Sequence, residues 1–430
     1  MLKVVALIAP LAFLVGCNAP AKPFPTVIAQ EVEITLTRSA CFGNCPDYTV
    51  TLDGQGNVKF STQGESYPGE AEVHREFSRS DGVLLSGVHT DKIDPKIVSD
   101  LVERFRDANF FSLKDEYVAE VTDNPTYSLT IDTGTRSKTV VDYVGDEVGM
   151  PAVVTELQQA VDLAAGTARW VEGADGLVEW LDAEGFDYTS STARAVVLEG
   201  AIQDATDRTI IAMIGRGVDL NGSAVHPWRG DEVTLGPALL SASIMKGRSD
   251  LFVYLADQAW IERSDKAQLE KLFADSAGGC SPSLVRSFAR RGLNVDAIGE
   301  EGETALAALA GSYECESEDT RAETAQALLV LGADPNKRDA EDETAIFEVE
   351  HLPLLDLLYS RGATAKVTDK DGNSPVFSSW TDEIVLRHLK EGASPVGRYY
   401  DGRTLKEQMK SRPMPQTKKW LEANADDQGW

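Results

Sequence analysis

The residues of this chain best suited to chemistry are its cysteines. Of the five, Cys41 and Cys45 stand closest together, in TRSACFGNCPDYTV (37–50), with Gly43 between them and Pro46 after. Three chemistries use such a pair. A disulfide would close a small loop over FGN, with Gly43 free to turn the chain, and would contribute ~2 kcal/mol through chain entropy. A redox pair more usually shows CxxC beside a βαβ pattern, whereas the spacing here is CxxxC. A tetrahedral metal site needs two more ligands at sensible spacing, and His74 and His89 are only scattered candidates. The choice depends on redox compartment, and therefore on the N-terminus.

The chain opens MLKVVALIAPLAFLVGCNAP, with Lys3 as a positive n-region and an apolar run from Val4 to Gly16 broken only by Pro10. That run is too short to span a bilayer, which takes ~20 apolar residues, and it matches the h-region of a secretory signal. LVGC resembles the bacterial lipobox. The resemblance implies that residues 1–16 are removed and that Cys17 is acylated. Several acyl chains make a stable anchor at ~0.8 kcal/mol per buried CH₂. Asn18, by resemblance to Gram-negative sorting signals, directs the protein to the outer membrane, facing the periplasm. Residues 17–30, with three prolines, read as an extended tether.

In an exported, oxidising setting the expectation for Cys41 and Cys45 is a structural disulfide. Cys280 and Cys315 lie one repeat apart in the second half of the chain, and both a bridge and two free thiols stay open for them.

Lys and Arg number 41 against 69 Asp and Glu, a formal net charge of −28. Such acidity disfavours nucleic acid, whose phosphates need neutralising, and a flat anionic lipid surface. It permits a basic partner, and it also serves solubility.

The elements that must position these residues fall into two groups. In residues 31–171, EVEITLTR (31–38) alternates as a strand, DYTVTLDGQGNVKFS (47–61) reads as a hairpin and AEVHREFS (71–78) as a further strand. DPKIVSDLVERFRDANFFSL (94–113) places Ile97, Leu101, Val102 and Phe105 on one helical face, with Asp94 as N-cap and Pro95 at N1. TYSLTIDTGTRSKTVVDY (126–143) reads as a hairpin turning at Thr133-Gly134, and PAVVTELQQAVDLAAG (151–166) as a closing helix. Strands interleaved with few helices predict an α+β domain with an antiparallel sheet. ITLTRSACFGNCPDYTVTLDGQGNVKF, followed by FFSL, DNPTYSLTI, KTVVDYVG and ARWVE, resembles a bacterial family found in exported proteins, the domain of unknown function 6438, carried by the C-x-G-x-C-P-x-Y core from Cys41 to Tyr48. The resemblance implies no activity. It implies that the CFGNCP turn is a family hallmark, which suits a bridge joining the first strand to the hairpin.

His74, His89, Asp115, Glu116, Tyr117 and Asp123 are the acid–base candidates in this domain. They form no nucleophile elbow, HExxH or phosphate-cradling glycine loop. No catalytic residue, metal or cofactor is assigned.

Residues 172–430 carry a repeat. Unit endings RGVDLN (216–221), RGLNVD (291–296), LGADPN (331–336), RGATAK (361–366) and EGASPV (391–396) each follow an amphipathic segment, and EEGETALAALA (300–310), AEDETAIFEVE (340–350), KDGNSPVFSSW (370–380) and YDGRTLKEQM (400–409) follow the later ones. The pattern resembles ankyrin repeats. Thr304, Thr344, Ser374 and Thr404 take the Thr place of the family's T-P-L-H helix start, and Pro375 the Pro place. No unit keeps the His, and Asp342 replaces the turn glycine of Gly302, Gly372 and Gly402. Thr would cap each inner helix, Gly at each ending would permit a left-handed exit, and stacking would bury faces that one unit cannot bury alone. The expected fold is an α+β domain followed by an all-α ankyrin-type solenoid, with a first cap over 172–186 and a last over TKKWLEANA.

Such stacks bind proteins by their tips and inner helices. The expected function is therefore a non-enzymatic, membrane-anchored periplasmic protein that binds a protein partner. Tip candidates are Asp296, Glu300, Lys337, Arg338, Glu341, Asp369, Lys370, Tyr399 and Tyr400. The alternative is binding or hydrolysis of a small cell-envelope ligand by the first domain, with the repeats presenting it. A cleft with two facing carboxylates in that domain would mark the alternative.

Overall fold

The computed structural model describes residues 23–43, 45–62, 82–313, 315 and 317–424. The signal sequence, Cys17, His74 and the strand expected over 71–78 lie outside the described residues. The chain divides after Val171 into two compact units.

The first unit is a seven-stranded mixed sheet with helices. Its strands are β1 (Glu33–Arg38), β2 (Tyr48–Asp53), β3 (Asn57–Thr62), β4 (Val88–Lys92), β5 (Glu116–Val118), β6 (Tyr127–Asp132) and β7 (Ser137–Tyr143), in the order β4-β3-β2-β1-β6-β7-β5. All pairs are antiparallel except β5 with β7, which run parallel, so the sheet is mixed rather than wholly antiparallel. Alternation sets its two faces. Ile34, Leu36, Val50, Leu52, Phe60, Leu129 and Ile131 are buried on one. The other carries threonines whose hydroxyls pair across strands, Thr35 with Thr51 and Thr37 with Thr49 at 3.1 Å, and Thr130 with Thr139 at 2.8 Å.

Helix α1 (Pro95–Asp107) begins as its residues dictate: the Asp94 carboxylate accepts the Lys96 amide at 2.9 Å, and Pro95 occupies the first turn. Its buried face is Val98, Leu101, Val102 and Phe105. Ile97, expected inside, is 39% exposed, so the stripe is rotated by one residue. Helix α2 (Ala152–Ala165) ends at Gly166 in the left-handed conformation. The short α3 (Ala168–Val171) buries Trp170 beside Phe60, ring centroids 5.1 Å apart.

The tether expected over 17–30 is docked over its second half. The Phe24 ring stands edge-on to Phe111 at 5.2 Å, Arg106 lies over it, the Thr135 hydroxyl donates to the Thr26 carbonyl, and the Ile28 amide donates to Thr133.

The second unit is helix-rich, a run of short helices of the α-solenoid kind. Helices α4 (Leu177–Ala183), α5 (Ser191–Ile202) and α6 (Asp207–Gly215) open it, followed by a two-stranded hairpin, β8 (Ser223–Val225) with β9 (Glu232–Thr234), that sequence reading did not anticipate. Then come α7 (Leu235–Met245), α8 (Ser249–Asp257), α9 (Lys266–Ser276), α10 (Pro282–Arg290), α11 (Ala305–Gly311), α12 (Glu318–Val330), α13 (Leu352–Ser360), α14 (Asp382–Lys390), α15 (Leu405–Ser411) and α16 (Pro415–Asn424). The glycines of the five unit endings, Gly217, Gly292, Gly332, Gly362 and Gly392, all have φ between 70° and 119°, the region that favours glycine.

Four equivalent turns project between the helices. In each, the first residue's amide donates to the last residue's carbonyl at 2.9 Å: Gly299 to Glu303, Asp339 to Glu343, Asp369 to Asn373 and Tyr399 to Arg403. Backbone bonds also chain neighbouring turns, from the Ala340 amide to Gly302 and from the Lys370 amide to Glu341.

After these turns Thr304 caps α11, and Thr404 forms a capping box with Glu407 on α15. The two inner helices expected between them are reduced to 3₁₀ turns, Ala345–Phe347 and Pro375–Phe377. The interval between Gly362 and Gly392 is 30 residues. No described helix is long and apolar enough to cross a membrane.

Candidate functional site

The disulfide loop sits between β1 and β2. Cys41 and Cys45 are bonded with Cα atoms 5.5 Å apart. Both arms of the loop are tied to one side chain on α2: Arg38, the last residue of β1, donates through Nε and Nη2 to Asp162 Oδ2 at 3.0 and 2.5 Å, and Tyr48, the first residue of β2, donates to Asp162 Oδ1 at 2.7 Å. Thr167 adds a third donor at 2.9 Å. Burial and the Asp162 charge push the Tyr48 phenol well above its ordinary range. This is a scaffold joint, holding the loop while Phe42 projects from it 89% exposed.

The remaining chemistry candidates of this unit scatter. His89 has Nε2 at 3.0 Å from the Leu85 carbonyl and its ring against Phe60 and Trp170, and the Asp115 carboxylate pairs with Lys138. Among the described residues no group of three His, Cys, Asp or Glu is placed to hold a metal. A cleft of about 250 Å³ is lined mainly by Val27, Val32, Val98 and Val102, with Glu103 and Arg106 paired to each other.

In the second unit Cys280 and Cys315 are bonded, with Cα atoms 5.3 Å apart. The bridge pins the acidic insert that lengthens one repeat. Arg321, buried, holds the same insert by donating to the carbonyls of Leu309 and Ser312 at 2.9 and 2.6 Å.

Most of the tip candidates serve the turns themselves. The Asp369 carboxylate accepts the amides of Asp371 and Asn373 at 2.9 and 2.8 Å. Arg338 bonds the Thr368 carbonyl at 2.8 Å, together with the carbonyl and carboxylate of Asp342. Lys370 pairs with Glu341, Glu300 with Lys271, and Asp296 accepts the Asp334 amide. Lys337 is exposed. Tyr399, expected at a tip, is 2% exposed and packs on Phe377 and Trp380 at 5.3 and 5.1 Å, because the turn closes over its ring. Tyr400 is the true tip, 89% exposed with its ring 5.6 Å from Trp380.

Of these, Glu341, Asp369, Lys370, Tyr399 and Tyr400 line an open cleft of about 590 Å³, with Phe377, Trp380 and Tyr400 on the apolar side and Glu341, Glu343, Asp369 and Asp371 on the acidic side. Its cations are engaged: Lys370 with Glu341, and Arg398 with the Gly402 carbonyl at 2.6 Å. The Glu343 carboxyl is pushed up to about 7 by burial and by the charges of Glu348, Asp339 and Asp369, and burial raises Glu348 beside it. Glu343, Phe377 and Trp380 escaped sequence reading. The signal for Glu343 was positional: Glu303, Glu343, Asn373 and Arg403 all close equivalent turns.

Residues 32–165 match a family model described as Domain of unknown function (DUF6438). The match lies within the first unit, supports reading it as a domain of unknown function, and includes the Cys41 to Tyr48 core. No curated protein matches the chain.

Proposed function

We propose that this is a non-enzymatic lipoprotein, acylated at Cys17 and held at the periplasmic face of the outer membrane, that binds a protein partner through ankyrin-type repeats in residues 172–430. One observation carries the reading: four turns of the same backbone closure, the first three linked by backbone bonds and the last by the Arg398 amide to the Asn373 side chain, stand beside an open aromatic and acidic cleft. Repeat arrays recognise proteins along such edges. The left-handed glycine endings and the Thr304 and Thr404 caps support the ankyrin kinship.

Two measurements test it. Cys17→Ser should move the protein from the membrane to the soluble periplasmic fraction, and unchanged membrane association in high salt would refute the anchor. A photo-crosslinking residue at position 400 should capture a defined protein in intact cells. Capture only from positions in residues 32–165 would move recognition to the first unit.

A further inference from the structure

The cleft beside Tyr400 is built for a particular kind of partner. We infer that it takes an arginine or lysine side chain from an extended basic segment of the partner protein, seated against Trp380 and Tyr400 and rimmed by Glu341, Glu343 and Asp371. The inference rests on the partner-binding reading above and names the partner's chemistry.

Two observations converge on it. First, among the described residues the cations that line the cleft, Lys370 and Arg398, are already engaged. Glu343 is flanked by Glu348, Asp339 and Asp369, and the two cations lining the cleft are held by Glu341 and by a backbone carbonyl. Carboxylates so crowded are relieved by a positive charge from outside. Second, the apolar wall is aromatic. Trp380 already has one guanidinium near its ring, that of Arg412 at 5.5 Å, and Tyr400 offers a ring that is almost wholly exposed. Tryptophan and tyrosine faces attract cations through their quadrupoles. An apolar peptide would strand the carboxylates without a partner, and an acidic one would be repelled.

The test uses the full chain purified in detergent and a short fluorescein-labelled glycine–serine peptide carrying spaced arginines. The same peptide with citrulline, a neutral isostere, is the comparison. Fluorescence anisotropy should show the arginine peptide binding at least about tenfold tighter. Glu343→Gln/Glu348→Gln and Tyr400→Ala should each weaken binding by about tenfold. Both leave the apolar core untouched, and unchanged circular dichroism and melting would confirm the fold. Glu184→Gln/Asp250→Asn removes as much charge from exposed positions of the same unit outside the cleft and should change affinity less than about twofold.

Equal losses in the cleft and control variants would reduce the effect to diffuse attraction by an acidic protein and overturn the inference. Equal binding of the citrulline peptide, or no binding of either, would overturn it as well. The partner-binding reading is judged separately. If a protein crosslinks to position 400 in cells and Glu343→Gln/Glu348→Gln leaves its capture unchanged, that reading stands and the basic-segment assignment falls.

Discussion

Tyr48 and Asp162 lie more than a hundred residues apart in sequence and meet at 2.7 Å, the tyrosine donating and the carboxylate accepting. Because Arg38 bonds the other carboxylate oxygen, one side chain of α2 clamps both ends of the disulfide loop. Asp162→Ala would leave a mostly buried guanidinium without its counter-charge and should cost about 3 kcal/mol. Tyr48→Phe removes one hydrogen bond and should cost about 1 kcal/mol. Hydrogen exchange of the β1 and β2 amides would measure both. Protection unchanged in Asp162→Ala would show that the clamp contributes nothing.

The two disulfides should differ in weight. Cys41–Cys45 spans a separation of 4 residues and Cys280–Cys315 one of 35, so chain entropy assigns about 2 kcal/mol to the first and about 4 to the second. Peptide mass spectrometry without reductant should recover both bridges. Reductant should lower the melting of the second unit more than that of the first, and the reverse order would contradict the assignment.

Position 342 offers a clean backbone test. Asp342 has φ 65° where its counterparts are Gly302, Gly372 and Gly402. A Cβ on Gly372 would meet nothing within 4 Å, so Gly372→Ala isolates the backbone cost of about 1 kcal/mol. Asp342→Gly should recover somewhat less, because the Arg338 contact at 3.3 Å is lost with it. Thermal melts of the two variants should move in opposite directions.

Much of this was readable in the sequence, and what escaped did so for physical reasons. A left-handed exit needs glycine, so the five unit endings announced themselves by residue type. Asp94 and Pro95 likewise marked the start of α1. Ile97 and Val98 are both apolar and adjacent, so the pattern could not separate a stripe centred on one from a stripe centred on the other. β4 is an edge strand that buries none of its residues, and β5 buries only Tyr117. Neither carries a hydrophobic period to detect. The cleft assembles Glu343 from the second turn, Trp380 from the segment after Pro375–Phe377 and Tyr400 from the fourth turn, and no local window contains all three.

The carboxylates of the cleft should make stability depend on pH. Burial and its neighbours raise Glu343 from the ordinary 4.5 to about 7, with Glu348 after the 345–347 turn, Asp339 in the same turn and Asp369 in the next. An acid whose folded value is raised binds its proton more tightly when folded, so the second unit is favoured below about pH 4.5 by this group and loses that contribution as pH rises towards 7. Solvent screening at a half-exposed site limits the change to about 1 kcal/mol. Glu343→Gln should flatten the melting temperature between pH 5 and 7.5, as compared with the parent chain. An equally steep parent and variant would place the titrating group elsewhere.

The docking of Phe24 on Phe111 sets a height. With Cys17 as the proposed anchor, seven residue steps separate it from Phe24. At full extension of about 3.5 Å per step they reach roughly 25 Å. Were the whole segment to residue 30 slack, the reach would nearly double. Under that proposal Phe24, and with it the sheet it docks on, is tethered within the shorter reach of the headgroups. A partner of the sheet unit would then have to come to the membrane to meet it.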